Sequence, residues 1–157
     1  MRQTTGTTRP TDHKAVRLVE QRWVERRQDE AFVYTADFSN IEDWDPGVVS
    51  SRRLGQGPLG VGSRFELEVE FGRGTMPMVY EVTEYEPNDR VVLTGRGDKL
   101  VAVDEIRFSR HDNMTVIDYT ADLTFLNWFR HVTRFMGPSL KKVGTKALDG
   151  LAAQLDR

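Results

Sequence analysis

Few residues in this chain have types and spacings suited to chemistry. With no cysteine it lacks disulfides, thiolate nucleophiles and Cys-based zinc sites. The three histidines are His13, His111 and His131, and no two have the helical or hairpin spacing that brings both to one metal ion. No serine sits in a Gly-x-Ser-x-Gly turn, and no Ser/His/Asp set is evident. Gly60-x-Gly62 lacks the lysine and the following helix of a phosphate loop, so a hairpin explains it better. No metal site and no cofactor are expected.

What remains is a small set of polar groups inside apolar patterns. Asp104 shares parity with Ala102, Ile106 and Phe108, so the alternation sets it on the apolar face of its strand. A carboxylate there needs a partner or a raised pKa. It is the candidate catalytic residue, as a general base, with a tyrosine and His131 as the other acid/base set on offer, and it is also a candidate polar anchor. The alternative places it near a strand end, in a bulge or at a wet pocket mouth. Glu20 and Arg22 share parity with Leu18 and Val24. They either face inward and compensate one another or face out, because Val19, Gln21 and Trp23 give the other face a similar mixture. Tyr80 and Tyr119 fall on apolar faces and combine ring area with a polar tip, which suits core packing and pocket lining alike. His131 precedes an apolar helix position, and is read either as flanking a pocket or as a surface histidine beside basic residues.

These groups have to be held by strands and one helix. Arg64 to Phe71 alternates strictly, with Phe65, Leu67, Val69 and Phe71 on one face and Arg64, Glu66, Glu68 and Glu70 on the other. Met78, Tyr80 and Val82 alternate in the next strand. Further strands are expected at about Val16 to Val24, Val48 to Leu54, Val91 to Thr94, Lys99 to Ser109 and Thr115 to Phe125, a total of seven. Turn signals at 55–62, 72–74, 87–89, 95–98 and 111–113 separate the later ones, and connections this short make antiparallel pairs. Gln28 to Asp37 and Phe38 to Asp43 read as two short helices, the second stopped near Pro46. After Trp128 the apolar period changes: Phe129, Val132, Met136, Leu140, Val143, Ala147, Leu151 and Leu155 recur every three or four residues, a long helix with one apolar stripe. Gly137-Pro138 predicts a kink in it. The stripe requires cover, and the apolar sheet face supplies it.

The order of elements gives an α+β domain over 14–157, preceded by a polar, Thr-rich stretch, 1–13, expected to be a disordered tail without the apolar run of a secretory signal. A cytoplasmic location is expected. No apolar run approaches the length needed to span a bilayer, so no stable membrane insertion is expected. From Asn127 to Arg157 six Lys/Arg stand against two Asp/Glu, a net of +4, so the remaining residues sum to −6 within the overall −2. An acidic body of this kind argues against nucleic acid as a partner. The basic helix leaves a local attraction to an anionic ligand, partner or membrane as a third, weaker reading.

Several segments resemble one family. Ala36-Asp37-Phe38-Ser39-Asn40 followed by Trp44-Asp45-Pro46-Gly47-Val48, then Gly57-Pro58-Leu59-Gly60-Val61-Gly62-Ser63-Arg64-Phe65, and Tyr80-Glu81-Val82-Thr83-Glu84-Tyr85-Glu86-Pro87, resemble the polyketide cyclase/dehydrase and lipid-transport group, relatives of START and Bet v 1 domains. The resemblance runs from about Val16 to the C-terminus. One departure is that family members usually carry a proline before the first short helix, where this chain has Glu25-Arg26-Arg27-Gln28. The resemblance implies the helix-grip fold: a curved seven-stranded antiparallel sheet, two short helices and a long C-terminal helix enclosing a cavity. It also implies that Trp44, after the short helices, lies at the pocket mouth. No catalytic residue of the aromatic-polyketide enzymes matches here.

The function expected is binding, or transport, of a hydrophobic or aromatic small molecule in that cavity. The alternative is a cyclase or dehydratase that uses the same cavity. The expected ligand-binding set is Trp44, Phe65, Leu67, Tyr80, Asp104, Tyr119, Met136 and Leu140.

Overall fold

In this computed structural model of the protein, residues 15–132 and 137–157 are described. The element order expected from the sequence is the order found. It runs β1 (Val16–Val24), α1 (Gln28–Ala36), a 3-10 helix (Phe38–Asp43), β2 (Val48–Leu54), β3 (Arg64–Phe71), β4 (Gly74–Glu86), β5 (Arg90–Arg96), β6 (Leu100–His111), β7 (Met114–Phe125), α2 (Phe129–Val132) and α3 (Gly137–Leu155). Period-2 alternation fixed the strands; β4, β5 and β6 run a few residues past the expected ends because hairpin pairing carries them up to their turns.

The strands form one antiparallel sheet in the order β1-β7-β6-β5-β4-β3-β2. Every neighbouring pair except β1 with β7 is a hairpin or a near-sequential pair, as short connections demand. Register shifts between Val48 and Ser50 in β2 and between Val82 and Glu84 in β4 add local bend to the sheet. One face is therefore concave, and there the alternating apolar residues meet the helices: Phe65, Leu67, Met78, Val82, Leu93, Ile106 and Ile117 are fully buried with Phe32 of α1, Phe38, and Leu148 and Leu151 of α3. On β3, Phe65 and Leu67 are buried while Glu70 is exposed and Glu66 and Glu68 are half-buried, the one-sided pattern expected.

The inward face of β1 carries Glu20 and Arg22, and their register is the inward one. They compensate one another at 2.9 Å, and α3 closes over them. Thr145 donates its hydroxyl to Glu20 at 2.8 Å, while Arg22 reaches Asp149 and the Thr145 carbonyl.

The helical stripe needs one correction. The buried residues of α3 are Gly144, Ala147, Leu148, Leu151 and Leu155, whereas Val143 is 48% exposed. Gly144 takes the position facing β1 because a small residue there lets the helix backbone come up to Leu18. Val143, about 100° around the helix, then points away. Closer still is Gly150, where a Cβ would lie 2.0 Å from the Trp44 carbonyl oxygen, so only glycine lets α3 pass over the turn after the 3-10 helix. The expected kink before Pro138, the side chain of Val132, Met136 and the 1–13 tail lie outside the described residues. Among the described residues no helix is long and apolar enough to cross a membrane.

Candidate functional site

Asp104 is on the concave face, as its parity required, and it is 3% exposed. In the β6–β7 register Asp104 pairs with Ala121, which leaves Tyr119 two residues along as its diagonal neighbour. An aromatic side chain spans that diagonal, and the Tyr119 hydroxyl donates to Asp104 Oδ1 at 2.8 Å. Tyr80 approaches from the other side, two strands away on β4. Its ring lies flat over Gly95 of β5, where a Cβ would sit 2.4 Å from the ring's Cζ. Glycine at 95 is what lets that ring cross the sheet towards β6, and Ala102, paired with Gly95, keeps the next position small.

Burial in this apolar surround disfavours the charged carboxylate and pushes Asp104 up to about 7. The Tyr119 hydrogen bond opposes that rise, and so does the Tyr80 hydroxyl. The nearby charges of Asp45 and Asp122 reinforce it. Tyr80 and Tyr119 are both held well above the usual tyrosine value, first by burial and then by the Asp104 charge. Asp104 therefore changes charge close to neutrality, while both tyrosines stay protonated and able to donate.

Asp45 is the member of this group that the sequence did not mark. It follows Trp44 in an Asp-Pro-Gly turn, where an aspartate reads as a turn-former, and it does accept from the Gly47 N–H at 2.8 Å. Burial nonetheless pushes its carboxyl up to about 6, with the Gly47 N–H opposing and the Glu70 charge adding. Only the folding of that turn under the sheet makes it a neighbour in charge to Asp104, and no local spacing announces that.

The aromatic residues divide into a packed end and a looser one. Phe38 sits with Tyr80 at 5.3 Å between ring centroids, with Phe65 at 6.2 Å and with Trp44 at 6.3 Å. Phe65, Leu67 and Trp44 are buried in this end. The Trp44 Nε1 is buried with no hydrogen-bond partner among the described residues. Towards α2 the same concave face is only half covered: Val69, Phe71, Leu100, Tyr119 and Leu123 are partly buried. Phe71 meets Phe129 of α2 at 5.4 Å, and the Lys99 ammonium lies over both rings at 5.3 and 5.2 Å. Leu140, near the start of α3, is half-buried.

Of the residues expected to bind ligand, the structure brings Tyr80, Asp104 and Tyr119 together and packs Trp44 and Phe65 around Phe38. Leu67 is core beside them. Met136 is outside the described residues. His131 is exposed on α2, and His111 stacks edge-on against Trp23 at 5.3 Å, away from Asp104. Among the described residues no three His, Asp or Glu side chains converge as a metal site. An open groove of about 500 Å³ along α1, lined by Asp29, Glu30, Val33, Tyr34, Asp37 and Asn40, shares none of these groups.

A part-buried Asp–Tyr hydrogen bond on a concave apolar face can hold the polar end of an apolar molecule. With a carboxyl that titrates near neutrality it can also move a proton. Comparison with known proteins agrees with this architecture. The family model described as polyketide cyclase / dehydrase and lipid transport matches residues 15–156. No curated protein matches the chain in sequence. Among solved structures, the Zhui aromatase/cyclase from Streptomyces sp. R1128 is similar with a TM-score of 0.77 at 12% identity, covering 92% of this chain and 96% of that one. A START superfamily protein from Mycobacterium smegmatis is similar with a TM-score of 0.67 at 16% identity, covering 91% and 95%. The protein TTHA0849 from Thermus thermophilus gives 0.74 at 13%, covering 88% and 96%. At these identities the likeness establishes a common fold.

Proposed function

We propose that this chain, which belongs to the polyketide cyclase / dehydrase and lipid transport family, binds a hydrophobic or aromatic small molecule between the concave face of its sheet and the C-terminal helices. The observation that carries this reading is the Asp104–Tyr119 hydrogen bond, a polar pair set among apolar side chains on a face the helices only partly cover. Apolar pockets with a few convergent polar groups are the usual form of small-molecule sites. A bent sheet cannot meet a straight helix along its whole length, so the fold itself favours a gap there.

In this reading Tyr119 and Asp104 orient the ligand's polar end, and Tyr80 closes the other side of that anchor. Phe65, Leu67 and Trp44 form the packed wall, with the Trp44 N–H as a further donor. Leu140, near the start of α3, closes over this wall, and Met136 is proposed as a further ligand contact. Transport would follow from binding if the ligand is released to a second site. The test is native mass spectrometry of the protein purified from its source. Binding predicts a co-purifying small molecule of defined mass that is lost on denaturation; a ligand-free spectrum that stays unchanged after exposure to apolar metabolite extracts contradicts it.

A second reading, a cyclase or dehydratase using the same cavity, is favoured by one observation. Asp104 titrates near neutrality at 2.8 Å from a tyrosine hydroxyl, a proton acceptor and a proton donor side by side. In that case Asp104→Asn abolishes turnover and leaves ligand affinity largely unchanged.

A further inference from the structure

The charges that act on Asp104 come from Asp45 and from Asp122 of β7, and the hydroxyls from Tyr119 of β7 and Tyr80 of β4. The charge acting on Asp45 comes from Glu70 of β3. Among the described residues neither carboxyl forms an ion pair with a lysine, arginine or histidine. Basic groups of the same sheet are engaged elsewhere: Arg22 by Glu20, Asp149 and the Thr145 carbonyl, Arg53 by the Pro58 carbonyl and the Ser63 hydroxyl, and Lys99 over the rings of Phe71 and Phe129.

We propose that the cavity selects by charge: it accepts ligands whose polar end is a hydrogen-bond donor without negative charge, a hydroxyl or a protonated amine, and it excludes carboxylates. The inference rests on the reading of the concave face as a binding cavity. A ligand hydroxyl can donate to the Asp104 oxygen that Tyr119 leaves free and can accept from either tyrosine, so every polar group ends partnered. A protonated amine gains the carboxylate directly, and the Tyr80, Phe38 and Phe65 rings offer it π faces. A carboxylate would instead lose its hydration beside Asp104, partly charged near neutrality, and Asp45, largely charged there, with no ion-paired cation to compensate, a costly combination in a low-dielectric site. Fatty-acid-type ligands are thereby turned away on their headgroup, even where their chains would fit the apolar wall.

The experiment is competition by 2-naphthol, 2-naphthylmethylamine and 2-naphthoate, which share one ring system, against uncharged Nile red on the full chain near neutral pH. The alcohol and the amine are expected to displace the dye at concentrations about tenfold or more below the carboxylate, and their relative order tells hydroxyl from ammonium recognition. Asp104→Asn is expected to narrow the gap several-fold. If circular dichroism shows that this variant does not fold, Asp45→Asn on the facing turn takes its place with the same expected direction. Naphthoate competing as well as the other two, or better, overturns the charge selection and leaves the cavity reading standing. Failure of Nile red itself to bind removes the cavity reading and the selection with it.

Discussion

Tyr119 and Asp104 stand on adjacent strands at diagonal positions, and the tyrosine hydroxyl donates to the carboxyl at 2.8 Å. The hydrogen bond lies where two demands conflict. Burial favours the neutral acid, whereas the tyrosine favours the carboxylate, and Asp104 settles at about 7 because burial outweighs its donors.

That balance has a signature in stability. A buried acid whose folded pKa lies above its unfolded value keeps its proton in the folded state while the unfolded chain has lost it. Stability then falls as pH rises between about 4 and about 7, and is flat below that window. The Asp104 contribution is up to about 4 kcal/mol at the upper end. Asp45 adds a smaller fall ending near 6. Urea unfolding across this range should show the slope, and Asp104→Asn should remove its larger part. A flat profile in the wild-type protein would mean that Asp104 titrates as an ordinary surface acid.

Removing the donor alone pushes Asp104 further from its charged form. Tyr119→Phe keeps the ring and leaves the carboxyl short of a partner, so a loss of about 1–3 kcal/mol at pH 8 is expected. The loss should shrink at pH 5, where the acid is neutral in both proteins. Equal losses at the two pH values would show that the ring packing, not the hydrogen bond, was disturbed.

Leu67 is 1% exposed in the packed end of the sheet. Leu67→Ala is expected to cost about 2–5 kcal/mol in chemical denaturation. A cost under about 1 kcal/mol would mean the side chain borders open space rather than core.

Gly150→Ala probes how the helix is seated. A methyl at that position meets a backbone oxygen, not a side chain that can swing away. The variant should lose more than about 1–3 kcal/mol, the usual overpacking cost, while the control Gly137→Ala, where a Cβ meets nothing within 4 Å among the described residues, should lose far less. Similar melting temperatures for the two would contradict the close approach of α3 to Trp44.

The sequence made much of this legible. Phe65, Leu67 and the glutamates between them declare a one-sided strand, and the same parity rule put Asp104 inside and made Tyr80 and Tyr119 candidates. Parity says which face a residue takes but not which neighbour it meets. The Tyr119–Asp104 bond depends on the β6–β7 register, and Tyr80 reaches β6 only because Gly95 lies between. Asp45 was hidden more thoroughly, because its turn-forming role accounts for it locally and its second role exists only across the fold. On α3 the stripe was read correctly at Ala147, Leu151 and Leu155 but not at Val143, where Gly144 takes the inward place. Counting apolar residues favours Val143, whereas the residue that faces Leu18 of β1 is Gly144, which no count of apolar residues includes.

The central claim is that Asp104 and Tyr119 stand at the polar end of a ligand cavity, and dye binding to blocked variants tests it most directly. Nile red titrated into the native protein should bind saturably with enhanced fluorescence. Tyr119→Trp, which fills the anchor, and Leu140→Trp, which fills the space under α3, should each weaken that binding by about tenfold or more with unchanged circular dichroism and cooperative unfolding. Binding that persists at full strength in both folded variants would place the dye, and any natural ligand, somewhere other than the concave face beside Asp104.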